Sequence, residues 1–166
     1  MGRKRRGRGW TLTEVMMSVA VVGILALVGP PMMVQVQRFF LQSQSRASIQ
    51  RDAREALTII NRLLRQAKSS TLQIDSASGQ PPYSRVQFTT TDGRAIMFWQ
   101  EGTTLYQRSA SGSTAPLSKN LRFIAFTMPR SDDPTIMSVS MTMEKATYQG
   151  GAKALELTIQ KVRIMN

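Results

Sequence analysis

The 166-residue chain contains no cysteine and no histidine. The first absence excludes disulfides, thiol nucleophiles and zinc-finger sites; the second removes the imidazole that most acid–base catalysis near neutral pH relies on. An enzyme would need a serine–lysine or paired-carboxylate constellation instead, and no spacing favours one. The sequence points to no catalytic residue, no cofactor and no metal. Missing cysteine leaves the compartment open, because a domain with an adequate core holds without disulfides even in an oxidising space. Acidic residues are scarce as well, 10 Asp plus Glu against 22 Lys plus Arg, for a net charge of +12. Such a surplus fits nucleic acid, an anionic membrane surface or an acidic partner. Its distribution narrows the choice: Arg3, Lys4, Arg5, Arg6 and Arg8 hold 5 of the charges, and +12 less 5 leaves +7 for the remainder. Much of the excess reads as an addressing signal. The length accommodates one modest domain that can bury a core unaided.

Charge of either sign is missing from residues 15–36, and as a helix those 22 residues would extend roughly 33 Å, about one bilayer core. The basic cluster before the run, set against the sparser Arg38, Arg46, Arg51 and Arg54 after it, predicts a cytoplasmic N-terminus and an exported remainder. A conventional signal peptide competes, since Ser18-Val19-Ala20 satisfies the small-residue cleavage rule, but the apolar stub ahead of it is too short. Residues 32–68 lack Gly and Pro and are rich in Gln, Arg, Ala and Leu, so the helix is expected to continue to about residue 69. Ile49, Ala53, Ala56, Ile60, Leu63 and Ala67 fall on one stripe, widened by Leu57 and Leu64, and that stripe predicts a buried face. Gly29, Pro30 and Pro31 interrupt the apolar part. Each proline lacks an N–H, which frees the carbonyls of Ala26 and Leu27 and predicts a kink or a locally melted turn, or simply the end of the span.

From residue 84 the period changes to two. Residues 85–91 and 94–100 flank Asp92-Gly93, a hairpin signal. Residues 121–128 read as another strand, and Met137, Val139, Met141 and Met143 alternate with polar residues as a half-buried one; these methionines suit either core filling or an adaptable interface. Leu155, Leu157 and Ile159 alternate likewise, but the apolar side then switches to Val162 and Ile164, which predicts a bulge near Gln160. Residues 75–83, 109–118 and 129–135 are rich in Ser, Gly, Pro or Asp and read as loops. The expected fold class is α+β: one long N-terminal helix packed on an antiparallel sheet of four to six strands, spanning about residues 84–166.

Directly before the apolar run stands Gly9-Trp10-Thr11-Leu12-Thr13-Glu14. A carboxylate at the head of a bilayer-length segment is disfavoured and marks a function or a partner. This stretch resembles the type IV prepilin family: a basic leader ending in Gly, an aromatic residue, Thr-Leu, a variable residue, Glu, then about twenty apolar residues. Trp10 stands where the family usually has Phe. The resemblance covers roughly the first 40 residues. It implies a pilin-like fold, with residues 1–9 as a leader and residues 10–36 as the transmembrane and filament-core half of the helix. Residues 37–166 would be a periplasmic domain. It further implies that a prepilin peptidase cuts between Gly9 and Trp10 and methylates the amine of Trp10, and that Glu14 docks the subunit into a filament. Helix geometry is compatible, because four residues separate that amine from Glu14 by roughly 6 Å along the axis. A plainer reading makes Gly9 the end of a flexible tail and Glu14 a snorkelling interfacial carboxylate.

The long amphipathic stretch and following sheet look like minor pseudopilins of the J type in type II secretion. Partners would then be other pseudopilins or pilins, the prepilin peptidase and an inner-membrane assembly platform, with the membrane itself and without nucleic acid. Minor pilins of type IV pili are similar. One of them acting in DNA uptake is the competing reading: Arg62, Arg65, Lys68, Arg85, Arg94 and Arg108 would meet phosphates while Tyr83, Trp99 and Tyr106 stack bases. The same aromatics suit a sheet core. Asp132 and Asp133 could ligate calcium or form a turn beside Pro134.

Overall fold

The computed structural model describes residues 10–130, 133, 135–147 and 153–164. It divides into two units, Met1–Phe40 and Leu41–Asn166, and one α-helix, α1 (Leu12–Leu64), belongs to both. The fold is α+β, as the change of period indicates. The second half of α1 packs on antiparallel strands through Ile49, Ala53, Ala56, Leu57, Ile60 and Leu64, all buried. Ala67 is also buried and Leu63 is partly so, which leaves the predicted stripe nearly intact.

Pro30 and Pro31 lie inside α1, and of the outcomes open at Gly29-Pro30-Pro31 the locally melted turn does not form: the helix runs on through them. Two missing N–H donors free two carbonyls, whereas abandoning the turn would free more, so continuity is the smaller loss. The helix stops at Leu64 rather than near residue 69, and no breaker residue stops it. The last turn tightens to i→i−3 bonds, Gln66 N to Leu63 O and Ala67 N to Leu64 O, both 3.1 Å. A neighbouring strand end then captures the chain: Lys68 N donates to Thr89 O and Thr91 N to Gln66 O, both at 2.9 Å. Tertiary pairing outcompetes the helical propensity of these residues.

Eight strands are described: β1 (Gln73–Asp75), β2 (Arg85–Thr89), β3 (Ala95–Glu101), β4 (Thr104–Arg108), β5 (Thr114–Ser118), β6 (Leu121–Thr127), β7 (Ile136–Ala146) and β8 (Lys153–Arg163). They form two sheets rather than one, ordered β1-β2-β3-β4-β5 and β6-β7-β8. The β2–β3 hairpin turns through Asp92-Gly93 as expected, with Gly93 at φ +78°, which suits glycine. β1 and β5 occupy stretches that read as loops: β1 has three residues, and β5 is an edge strand with exposed side chains that accommodates Pro116. The core joins the helical stripe to Val86 and Phe88 of β2, Ile96 and Phe98 of β3, and Leu105 of β4. From the other sheet come Ile124 and Phe126 of β6, and Met137, Val139, Met141 and Met143 of β7. The β7 methionines are therefore core.

No bulge occurs near Gln160. The β7–β8 register is continuous from Ile136↔Arg163 to Ala146↔Lys153. The apolar switch along β8 is real, and it sends Leu155, Leu157 and Ile159 to the outer face while Val162 is buried in the core.

Gln100 joins the two sheets. Its side chain is 2% exposed. Nε2 donates to Gly102 O at 2.9 Å and Arg122 O at 3.1 Å, while Oε1 accepts from Ile124 N at 3.1 Å. Beside it Phe126 N donates to Tyr83 O at 2.9 Å, and Tyr83 adopts φ +61°. These bonds satisfy β6 backbone groups at the seam between the sheets. Gln100→Leu should strand the Ile124 N–H and the Arg122 carbonyl and lower unfolding stability by about 2–4 kcal/mol. Urea unfolding of the detergent-solubilised chain, followed by circular dichroism, measures the loss.

Candidate functional site

The first unit offers the N-terminal turn of α1 and the apolar rod behind it. Thr11 precedes the helix and acts as its cap. Its hydroxyl accepts a hydrogen bond from Glu14 N at 3.3 Å, and Glu14 Oε2 accepts one from Thr11 N at 2.9 Å. The Thr11 hydroxyl also donates to Glu14 Oε2 at 3.0 Å. This is a reciprocal capping box, Thr-x-x-Glu, which satisfies two backbone donors that a helix start leaves without partners. A carboxylate here also faces the positive end of the helix dipole. The pattern is legible in Thr11-Leu12-Thr13-Glu14, although the family resemblance gives a role to Glu14 and none to Thr11.

Behind the cap every residue from Leu12 to Leu41 is exposed. The rod has a window of mean hydropathy 2.1 with none of it buried, long and apolar enough to be a single membrane span. Gly29, Pro30 and Pro31 are in this rod as helical residues. Phe39 and Phe40 are exposed at its end. Trp10 is exposed ahead of the cap, whereas Gly9 and the basic cluster lie outside the described residues, so the predicted cleavage site is half described.

The second unit gathers part of the set weighed for nucleic acid. Cross-strand partners Asp75↔Arg85, Arg85↔Trp99, Trp99↔Tyr106 and Tyr106↔Pro116 form one row across the outer face of the five-stranded sheet. Trp99 and Tyr106 stack with ring centroids 5.4 Å apart, and the Arg108 guanidinium lies 5.7 Å from the Trp99 ring centre. The aromatics are half-buried on this face rather than in the core. Their cations are largely answered by acids. Arg85 is paired to Asp75, Arg94 to Asp92 at 2.7 Å, and Glu101 lies 3.5 Å from the Trp99 indole nitrogen. Arg62, Arg65 and Lys68 stand elsewhere, around the end of α1, and exposed Tyr83 sits at the seam.

Asp133 accepts from Thr135 N at 2.9 Å, and bonding to Thr135 holds its carboxyl below its ordinary value. That is the turn geometry open to this position; Asp132 and Pro134 lie outside the described residues. Among the described residues no three His, Cys, Asp or Glu side chains group as metal ligands.

Compared with known proteins, the chain matches no family model, no curated protein and no solved structure.

Thr11→Ala should weaken the first helical turn by about 1 kcal/mol, as should Glu14→Val, whereas Glu14→Gln should keep most of the cap. Hydrogen exchange of the amides of residues 11–15 in micelles reads the difference. The Arg85 hydrogen bond keeps the Asp75 carboxyl below its ordinary 3.8. The folded value is the lower one, so this contribution is complete above about pH 4 and fades as pH falls through the folded value. Asp75→Asn should flatten that acid limb in urea unfolding across pH 2–6.

Proposed function

We propose that this chain is a membrane-held, pilin-like filament subunit, a minor pseudopilin of the type II secretion pseudopilus acting in protein export. One observation carries the reading. Among the described residues, none of the apolar window in the first half of α1 is buried, and the helix continues into a half that packs on sheets. A rod of this kind needs either lipid or other rods around it, and a filament subunit alternates between the two. The capped start of the rod adds support, because Glu14 stands at its first turn, where docking requires a carboxylate.

On this reading the precursor sits once through the bacterial inner membrane, with the basic leader in the cytoplasm and residues 37–166 in the periplasm. The prepilin peptidase cleaves between Gly9 and Trp10 and methylates the Trp10 amine. That amine then pairs with Glu14 of an axially displaced neighbour, where the low dielectric makes pairing matter. Other pseudopilins and the assembly platform are the partners. A type IV minor pilin shares every one of these steps. Its DNA-handling version is weakened because Asp75 and Glu101 stand beside Arg85 and Arg108 around Trp99, which leaves the Trp99–Tyr106 face little net charge for phosphates.

Mass spectrometry of membrane-extracted protein should find a chain beginning at a methylated Trp10; an uncut chain, or one cut after Ala20, contradicts the proposal. Glu14→Val should still be processed but drop out of filaments, and Glu14→Gln should drop out too despite its retained cap. Normal incorporation of Glu14→Gln would reduce Glu14 to a capping residue.

A further inference from the structure

Strand β8 ends the three-stranded sheet, and among the described residues no strand pairs with its outer edge. It is 11 residues long. Leu155, Leu157 and Ile159 are 55%, 65% and 62% exposed on one face, against 3% for Val162 and 2% for Ile164 on the other. Among the described residues of Leu41–Asn166 the other exposed large apolar side chains are single: Leu41, Tyr83 and Met128. Exposed Lys161 and Arg163 continue the same face. A long edge with an apolar ridge is a template for strand addition, which natural folds ordinarily blunt.

We propose that β8 receives an extended segment of a different chain, apolar at alternate positions and acidic where it meets Lys161 and Arg163. Charge identifies the occupant as another kind of chain rather than a second copy. Opposed residues of a ladder share a face, and Glu156, the one acid in β8, alternates onto the other face from Lys161 and Arg163, so an antiparallel self-pair about a two-fold axis gives these cations no acid to meet. A parallel in-register pair sets Lys161 against Lys161. The parallel pair opposes like charges directly, which destabilises a ladder, and the chain carries +12 overall. An acidic strand instead gains main-chain hydrogen bonds along the edge, side-chain contact with the ridge and two charge pairs at its end. The basic end of β8 therefore selects the partner while discouraging self-association. This inference rests on the sheet edge and is independent of the filament reading.

The test uses the full chain in detergent micelles and fluorescent nine-residue peptides of alternating Val and Thr. The peptides carry two Glu, or two Lys, on the Val face at one end or the other, to cover both strand directions. A Glu peptide should bind, measured by anisotropy, and should protect alternate β8 amides from hydrogen exchange. Lys161→Glu/Arg163→Glu should weaken it at least tenfold and reverse the preference towards the Lys peptide. Leu157→Asp should abolish binding. All three sites are exposed, so circular dichroism should be unchanged; if Leu157→Asp misfolds, the charge-reversed variant alone decides. Absence of binding by either Glu peptide at millimolar concentration overturns the proposal. So does equal binding of the Lys peptides, or concentration-dependent dimerisation that Leu157→Asp removes.

Discussion

A helix that is apolar on every side cannot end its own exposure to water, and the first half of α1 is such a helix. Its backbone tolerates an apolar surrounding because nearly every N–H and C=O is satisfied within the helix. The capping box answers two donors at the start, Thr11 N and Glu14 N. The price of Pro30 and Pro31 is limited to two carbonyls, at Ala26 and Leu27. Hydrocarbon raises the cost of any unpaired group, so the same surrounding that needs covering favours helical continuity through the prolines.

The second half of α1 solves the opposite problem. Its apolar residues narrow to a stripe, and small Ala53 and Ala56 within that stripe let the strands come close. The sheets meet through Gln100, whose amide does the work of a missing strand pair, and Tyr83 accepts a left-handed backbone so that its carbonyl reaches Phe126 N. Polar links tie the periphery: Asn120 Nδ2 donates to Asp52 at 3.3 Å and Lys145 Nζ to Ser48 at 3.0 Å. The core supplies stability and the seam supplies uniqueness, since an apolar residue at position 100 would fill space without fixing where β6 lies.

Periodicity made the helical stripe, the β2–β3 hairpin and β7 readable, because each has one face in the core and the other in water. It failed where burial and period part company. β1 and β5 are short strands of three and five residues whose burial does not alternate, so they read as loops. The end of α1 is set by capture against β2, which no local residue announces. Along β8 the alternation is legible, but it does not say which face the apolar residues take, and only an inward placement of both apolar sets calls for a bulge. The register has none. At the N-terminus the motif was legible while its local chemistry was not: Thr11 and Glu14 serve the isolated helix before they serve anything else.

That prior commitment constrains how Glu14 could act between subunits. In the isolated helix its carboxylate already holds Thr11 N and the Thr11 hydroxyl. Docking to a neighbour's amine on the proposed reading is thus an exchange or a sharing of partners, not the rescue of a bare charge. In water an ion pair is worth about 0–1 kcal/mol, no more than the cap it would disturb. Where water is excluded the balance changes, because an uncompensated amine costs far more than a shared carboxylate. On the proposed reading, pairing of this kind would be favourable among packed rods inside the membrane and near neutral outside it, which would confine assembly to the place where the rods are already aligned.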